Sequence, residues 1–213
     1  MFRETLSNLP EDKRNRVRAA AMREFAARPY DQANLGAIAA AAGVSKGSLF
    51  QYFEDKFDLY TWLMQVAGEQ KAALVAAQAH KGDLFATLRA SYAAGLTFLA
   101  QDPEPAAVGL RLLEPSAEPR LEALRRAVQA QTHAWLLAQL RAAPDLRPDL
   151  DLDAAAWLAL GTLRDGLLQG FLARAGTWLG DPEAAQKLGT LSPDDAWPLA
   201  DQAVTLLERG LRA

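Results

Sequence analysis

The stretch AAGVSKGSLFQYFEDK, residues 41–56, predicts a sharp corner between two short helices. Gly43 stands where the end of a helix needs a left-handed residue, a conformation that glycine adopts at little cost. Ser45 follows two residues later and can begin a new helix, because its hydroxyl accepts hydrogen bonds from the first free N–H groups. Val44 lies between the two and can fill the corner with an apolar side chain. The segment therefore predicts a helix-turn-helix unit.

Two helices are predicted before this corner, and the second of them is the one that Gly43 ends. The first covers about residues 10–27 and the second about residues 35–42. Apolar side chains recur four residues apart on one face of the first helix, which ends in Phe25 on that face, and the second helix turns Ile38 inward. Asn34 is a good N-cap for the second helix.

The outer face of the third helix differs from an ordinary solvated face, which would be rich in Glu and Lys. Leu49 and Phe53 are expected to point inward. The remaining positions carry small, polar and aromatic side chains: Lys46, Gly47, Ser48, Phe50, Gln51 and Tyr52. Amide and hydroxyl groups on a helix can read base edges in the major groove. This face is therefore predicted to contact DNA.

The run REFAARPYDQANLGAIAAAAGVSKGSLFQYFEDKFDLY, part of residues 11–60, resembles the DNA-binding domain of the TetR family of transcriptional regulators. The first helix closes with the aromatic Phe25, and the second helix carries the Ile38-Ala39 pair. Residues 42–45 form the glycine corner, and Leu49, Tyr52 and Phe53 match the recognition helix and its end. Lys56 matches the lysine that opens the fourth helix. Two positions depart from the family pattern. Asn34 replaces the usual Thr or Ser, and Phe50 replaces a frequent tyrosine.

The resemblance implies an all-α, TetR-like fold of about nine helices. It implies an N-terminal three-helix helix-turn-helix DNA-binding domain at residues 1–57 and a C-terminal helical ligand-binding and dimerisation domain at residues 58–213. By the same resemblance, the side chains expected to face bases are Lys46, Ser48, Phe50 and Gln51, with Gly47 allowing close approach. Those expected to hold phosphates are Asn34, Tyr52 and Lys56. The implied partners are double-stranded DNA with an inverted-repeat operator, a small-molecule effector and a second copy of the chain.

Composition and charge exclude several classes of protein. Residues 1–60 hold nine lysines and arginines against eight acids, and the remainder holds fourteen against eighteen, which gives weak support to a nucleic-acid surface at the N-terminal end. The absence of cysteine excludes disulfides and thiolate sites and fits a cytoplasmic protein. The first residues lack the apolar segment of a secretory signal. Residues 152–175 are long and apolar, but Arg164 and Asp165 near their centre argue against a membrane span.

The rest of the chain predicts six helices separated by breaks that mostly contain proline. They cover about residues 55–79, 83–101, 105–114, 118–142, 153–175 and 193–211. Ser192 followed by Pro193 and two acids is a clear start for the last helix. The helix at 153–175 is apolar on nearly all sides, so it is expected to pack against a second copy, or else to lie centrally within one subunit. The predicted interface is Leu160, Gly166, Leu167, Gly170, Ala203, Leu206, Leu207 and Leu211.

Polar groups that interrupt apolar stripes predict an effector pocket in the C-terminal domain. The candidate ligand residues are Trp62, Tyr92, Leu96, Gln131, Thr132, Trp135 and Arg164, although each fits an ordinary core position as well. Because ligand pockets are mostly apolar with a few convergent polar groups, the effector is expected to be mainly apolar.

Catalysis finds little support in the sequence. His80 and His133 are far apart, with no acid or nucleophile at a recognisable spacing. The run DLRPDLDLD, residues 145–153, lacks the glycine and terminal glutamate of a calcium loop and is interpreted as a solvated turn that caps the next helix. No catalytic, cofactor-binding or metal-binding residue is predicted.

The sequence predicts a ligand-responsive, homodimeric DNA-binding regulator, a repressor. The alternatives are a helical small-molecule or partner-binding protein that has lost DNA recognition, and a helical enzyme.

Overall fold

The computed structural model describes residues 10–78, 83–178, 181, 183–190 and 192–213. In chain order the helices are α1 (Glu11–Ala27), α2 (Leu35–Ala42), α3 (Lys46–Tyr52), α4 (Lys56–Gln78), α5 (Leu84–Gln101), α6 (Pro103–Arg111), α7 (Pro119–Ala142), α8 (Leu152–Gly161), α9 (Leu168–Arg174), α10 (Ala184–Leu188) and α11 (Ala196–Leu211). Short 3₁₀ turns lie at Tyr30–Gln32 and Pro193–Asp195, and a π-helical turn at Thr162–Leu167 joins α8 to α9. The all-α prediction is confirmed.

The corner between α2 and α3 forms as the sequence predicts. Gly43 has φ +66°, and its N–H and that of Val44 donate to the carbonyls of Ala40 and Ala39, which closes the end of α2. The Ser45 hydroxyl accepts a 3.0 Å hydrogen bond from the Ser48 N–H and caps α3. The Asn34 Oδ1 caps α2 by accepting from the N–H groups of the next turn. Local capping chemistry therefore fixes both helix starts.

A first hydrophobic core holds α1, α2 and α3 together. It also takes Leu59, Tyr60 and Leu63 from α4. Side chains from later in the chain complete it: Ala107, Val108, Leu112 and Leu121. The predicted domain boundary at residue 57 thus falls inside a continuous core, because α4, α6 and the start of α7 cover the apolar side of the three-helix unit.

Three aromatic rings form the centre of the first core. The ring of Phe25 lies 5.1 Å from that of Tyr60 and 6.1 Å from that of Tyr30 between centroids. The Tyr60 hydroxyl donates a 2.8 Å hydrogen bond to the carbonyl of Val108, which ties α4 to α6. Burial raises the pKa of Tyr60 above its usual value, so the hydroxyl stays protonated as a donor.

A buried arginine joins α6 to the end of α1. Arg111 is only 6% exposed, and its Nε and Nη2 lie 3.2 and 3.1 Å from the carbonyl oxygen of Ala26. Its Nη1 lies 2.6 Å from Glu114 Oε1. The guanidinium therefore satisfies a carbonyl that the end of α1 leaves free, and Glu114 balances its charge. This contact fixes the position of α6 against the DNA-binding unit.

A second core fills the C-terminal part of the chain around α5. From Ala90 to Ala100 every residue is buried except Gly95, which is partly exposed. The Tyr92 hydroxyl donates a 2.8 Å hydrogen bond to the carbonyl of Ala159 on α8. Arg89 lies 2.8 Å from Asp201 and 2.7 Å from Glu208, both on α11. These contacts hold α5 between α4, α8 and α11.

The later helices differ from their predicted bounds in three places. The predicted helix at 105–114 is Pro103–Arg111, because proline is well placed in the first turn of a helix. The predicted helix at 153–175 is interrupted by the π-helical turn at Thr162–Leu167. The last helix opens with a 3₁₀ turn, in which the Ser192 hydroxyl accepts from the Asp194 N–H. The short helix α10 was not predicted.

The acidic run at 145–153 caps a helix, as interpreted from the sequence. The Asp151 carboxylate accepts from the N–H groups of Asp153 and Ala154 at the start of α8. Asp149 pairs with Arg147, and Asp145 pairs with Arg212. Within the described ranges, no group of three or more His, Asp or Glu side chains is arranged to hold a metal ion. No described helix combines the length and apolar character needed to cross a membrane.

Candidate DNA-binding and effector sites

The helix α3 presents the predicted face to solvent. Leu49 and Phe53 are buried, while Lys46, Gly47 and Gln51 are exposed. Phe50 is 38% exposed, an unusual position for a large aromatic ring. Ser48 and Tyr52 are half-buried at the edge of this face. The structure thus brings the predicted base-facing residues together on one surface, and their individual DNA contacts remain predictions.

A lysine on α1 borders this surface and was not singled out in the sequence. Lys13 Nζ lies 3.3 Å from the Ser48 hydroxyl oxygen and 5.4 Å from the centroid of the Tyr52 ring. It belongs to the basic run KRNR at residues 13–16, which is the signal that could have identified it. Its cation adds positive charge beside α3, where a DNA phosphate would lie if the helix entered a groove.

Asn34 uses its side-chain oxygen within the protein. Its Oδ1 lies 2.7 Å from the N–H of Gly36 and 3.3 Å from that of Ala37. The backbone N–H of Asn34 donates to Glu24 Oε1 at 3.0 Å. The capping part of the prediction is confirmed, and the amide N–H₂ group remains to donate to a phosphate.

Lys56 is engaged by backbone carbonyls of its own chain. Its ammonium lies 2.8 Å from the carbonyl oxygen of Tyr30, 3.2 Å from that of Ala33 and 3.3 Å from that of Asp31. A lysine has three N–H donors, and all three have carbonyl acceptors here. The ammonium pins the turn at Tyr30–Ala33 to the start of α4, and the phosphate contact of the Lys56 side chain stays a prediction.

Replacing Lys56 by methionine is expected to lower the free energy of unfolding by about 1–3 kcal/mol, because three carbonyls lose a charged donor. The dependence of DNA affinity on salt should keep its slope, whereas loss of a true phosphate contact lowers that slope by about 1. Urea unfolding and binding to one fixed duplex at several salt concentrations measure both quantities. Lys46→Met, at an exposed position of α3, is the control and should leave stability within about 0.5 kcal/mol. Unchanged stability with a reduced slope for Lys56→Met would show instead that Lys56 holds a phosphate and that its carbonyl contacts contribute little.

The predicted ligand residues do not gather in one place. Trp62 lies in the first core against Phe53, with ring centroids 5.3 Å apart, and its role as a ligand residue stays a prediction. Tyr92 and Leu96 are buried in the second core. Gln131 and Trp135 are exposed on α7, where the Thr132 hydroxyl donates to the carbonyl of Val128. The side chain of Arg164 lies outside the described part of the chain.

The predicted dimer residues divide into two groups. Leu160, Leu167 and Leu211 are buried in the protomer's own second core, and their contact with a partner stays a prediction. Leu206 is 72% exposed, Gly166 is exposed, and the remaining residues of the set, Gly170, Ala203 and Leu207, are partly exposed. A Cβ added at Gly166 or Gly170 would meet no described atom within 4 Å. Sequence reasoning missed the exposed apolar residues Trp157, Leu158 and Trp197, which lie on or beside the same helices.

Comparison with known proteins places this arrangement in a family. A family model described as bacterial regulatory proteins of the tetR family matches residues 17–61. The crystal structure of a TetR family transcriptional regulator from Chloroflexus aurantiacus is 32% identical in sequence and has a TM-score of 0.71. The match covers 100% of this chain and 99% of that one. The chain belongs to the TetR family. The resemblance seen in the sequence is confirmed.

Other solved structures share the TetR-family fold at lower identity. FadR from Bacillus subtilis, in complex with stearoyl-CoA, is 18% identical, with 91% of this chain and 96% of that one covered and a TM-score of 0.65. The SmeT–triclosan complex is 18% identical, with 94% and 92% covered and a TM-score of 0.71. No curated protein sequence matches the chain. TetR-family proteins are regulators rather than enzymes, and they bind DNA and small molecules and form dimers.

Proposed function

We propose that this protein is a cytoplasmic homodimeric repressor that binds an inverted-repeat operator and leaves it when a small, mainly apolar effector binds. The observation that carries the proposal is the outer face of α3, where Phe50 and Gln51 are exposed on a helix fixed by capped ends. A helix face that only carried charge would not need an exposed aromatic ring next to an amide side chain. A face of this composition suits apolar contact with a thymine methyl and hydrogen bonds to base edges.

The apolar surface on α8 and α11 supports a dimer. Leu158 on α8 and Leu206 on α11 are largely exposed in the single chain. The open space beside Gly166 and Gly170 allows a partner backbone to approach closely. Two copies joined here would carry two α3 helices, and a two-fold axis would match an operator with half-sites one helical turn or a multiple of it apart.

Helices α4 and α6 connect the second core to the α1–α3 unit, so effector binding can act on α3 through them. The helix α4 supplies Leu59 and Leu63 to the first core and Ala67 to the second. The helix α6 is anchored to the end of α1 through Arg111. A ligand that moves α4 or α6 within the second core therefore changes the position of the α1–α3 unit. Release from DNA requires the ligand to bind the moved arrangement more tightly than the DNA-bound one.

Capture of genomic fragments tests the proposal. The purified protein is mixed with fragmented DNA of the source organism at moderate salt, and retained DNA is sequenced. Enrichment of a few sites with an inverted repeat is the expected result. Retention of no site above background, from protein shown by mass spectrometry to carry no bound small molecule, would contradict it and would favour a helical binding protein without DNA recognition.

Gln51→Ala is expected to change which sequences are retained. A side chain that pairs with a base edge contributes about 1–3 kcal/mol of discrimination at its position, and removing it relaxes preference there. Repeating the capture with the variant and comparing the enriched motifs measures this. Arg126→Ala, on the exposed side of α7, is the control and should leave the motif unchanged. An identical motif from Gln51→Ala would exclude base reading by this residue.

A further inference from the structure

The ammonium of Lys13 on α1 is hydrogen-bonded to a hydroxyl at the edge of the exposed face of α3. Lys13 Nζ donates to the Ser48 Oγ at 3.3 Å. Among the described residues, this is the one hydrogen bond that the Ser48 side chain makes. An ammonium has donors only, whereas a serine hydroxyl has one donor and two acceptor lone pairs. The Ser48 hydroxyl proton therefore does not point toward Lys13 and can be donated to a group outside the chain.

Two further contacts fix the place of Lys13 beside α3. Its ammonium lies 5.4 Å from the centroid of the Tyr52 ring, one helical turn after Ser48 on α3. Arg16, the neighbour of Lys13 one turn along α1, places its Nε 3.3 Å from the carbonyl oxygen of Ala42 at the end of α2. The helix α1 is thus joined to both sides of the corner between α2 and α3. Lys13 itself is half-buried, so its ammonium is held near Ser48.

A positive charge next to the Ser48 oxygen decides which kind of group the hydroxyl can meet. The charge polarises the O–H bond, which strengthens the hydroxyl as a donor. It also opposes the approach of another donor hydrogen. In the major groove, guanine, adenine and thymine each present an acceptor, whereas cytosine presents only the donor hydrogens of its N4 amino group. A hydroxyl without such a neighbour can turn to suit either kind of group.

From these contacts we infer that Lys13 is a positioning residue for base recognition. It keeps the Ser48 hydroxyl acting as a hydrogen-bond donor, so that α3 discriminates against cytosine at the base that Ser48 meets. The inference rests on the proposed operator binding and deepens it, because it assigns the chemistry of one base contact. When Lys13 is removed, the Ser48 hydroxyl is able to rotate and accept from the cytosine amino group, and the discrimination is lost.

Binding of the full chain to four matched duplexes tests the inference. Genomic capture with the parent and with Ser48→Ala first locates the motif position at which the variant loses preference. The four base pairs are then placed at that position in one half-site, and each affinity is measured at one salt concentration. The parent should bind one orientation of the G·C pair about five-fold more weakly than the other three pairs, as expected for one hydrogen bond. Lys13→Met should reduce this ratio to below about two-fold, and Lys13→Arg, which keeps a cationic donor, should preserve it.

Two comparisons separate positioning from loss of charge or of structure. Adding Lys13→Met to Ser48→Ala should leave the ratio as it is in Ser48→Ala alone, because the lysine acts through the hydroxyl. Arg23→Met removes another exposed cation of α1, roughly 15 Å along the helix from Lys13, and should leave the ratio of the parent unchanged. A ratio of affinities for two duplexes does not depend on the folded fraction, so destabilisation by a variant does not alter it.

Three results would overturn the inference while the proposed function stands. Equal weakening of all four duplexes by Lys13→Met would mark Lys13 as a phosphate contact alone. A motif that Ser48→Ala leaves unchanged at every position would show that the hydroxyl reads no base. Weakest binding to an A·T pair in either orientation would show that Ser48 does not act as the donor. Failure of the parent to retain any genomic site is a different outcome, because it contradicts the proposed repressor and the inference together.

Discussion

Phe25→Ala is expected to lower the free energy of unfolding by about 3–5 kcal/mol. Phe25 is fully buried at the centre of the first core and packs edge-on against Tyr60. Its removal leaves a cavity between α1, the turn after it and α4, and the two tyrosine rings lose part of their packing. Urea unfolding followed by circular dichroism measures the change. Operator affinity should fall as the folded fraction falls.

Phe50→Ala makes the same chemical change at the exposed α3 position and is the matched control. Because Phe50 keeps 38% of its surface accessible, the loss in unfolding free energy should be below about 1 kcal/mol. Operator affinity should nevertheless drop when measured on fully folded protein. Similar destabilisation by the two variants would mean that Phe50 is part of the core and that the proposed contact face is misassigned.

Arg111→Met is expected to cost about 3–5 kcal/mol, because it removes one partner of a buried charge pair. The partly buried Glu114 would be left without its cation, and the Ala26 carbonyl would lose both guanidinium donors. The effect should extend to function, since α6 loses its polar link to the end of α1. Effector-induced release from the operator is then expected to weaken even where folded protein is recovered.

Arg126→Met provides the comparison for this variant. Arg126 is 77% exposed and, among the described residues, pairs with Glu122 one turn away on α7. Exposed pairs of this kind contribute about 0.2–1 kcal/mol, so the variant should unfold nearly like the parent. If Arg111→Met were equally mild, the link between α6 and α1 would be dispensable, and the proposed path from effector to α3 would have to run through α4 alone.

The DNA-binding unit was the most predictable part of the molecule because its signals are local. Gly43, Ser45 and Asn34 each act within four residues of their position, and a single sequence displays such capping patterns directly. Alternation between buried and exposed positions on α3 likewise follows from helical spacing. Every one of these features has its predicted conformation in the structure.

Contacts between distant segments could not be derived in the same way. Lys56 matched the family's position for a phosphate-binding lysine, yet its ammonium is satisfied by carbonyls 23 to 26 residues earlier in the chain. The helix at residues 153–175 is apolar on most sides for two different reasons. Leu160 and Leu167 fill the protomer's core, while Leu158 remains exposed. The composition of such a helix shows that its apolar faces are buried. Only the tertiary packing shows which of these faces is buried by the helix's own chain.

The continuity of the first core across residue 57 limits how this regulator can be rearranged. A fragment ending after α3 would lack Leu59, Tyr60 and Leu63 as well as Val108 and Leu121, so its apolar side would be left open to water. Grafting only the first 57 residues onto another sensor would separate α1 from Arg111. Engineers who wish to exchange specificities should therefore transplant surface residues of α3 rather than the whole N-terminal segment. By the same reasoning, natural recombination is expected to keep the α1–α3 unit together with the helices that follow it.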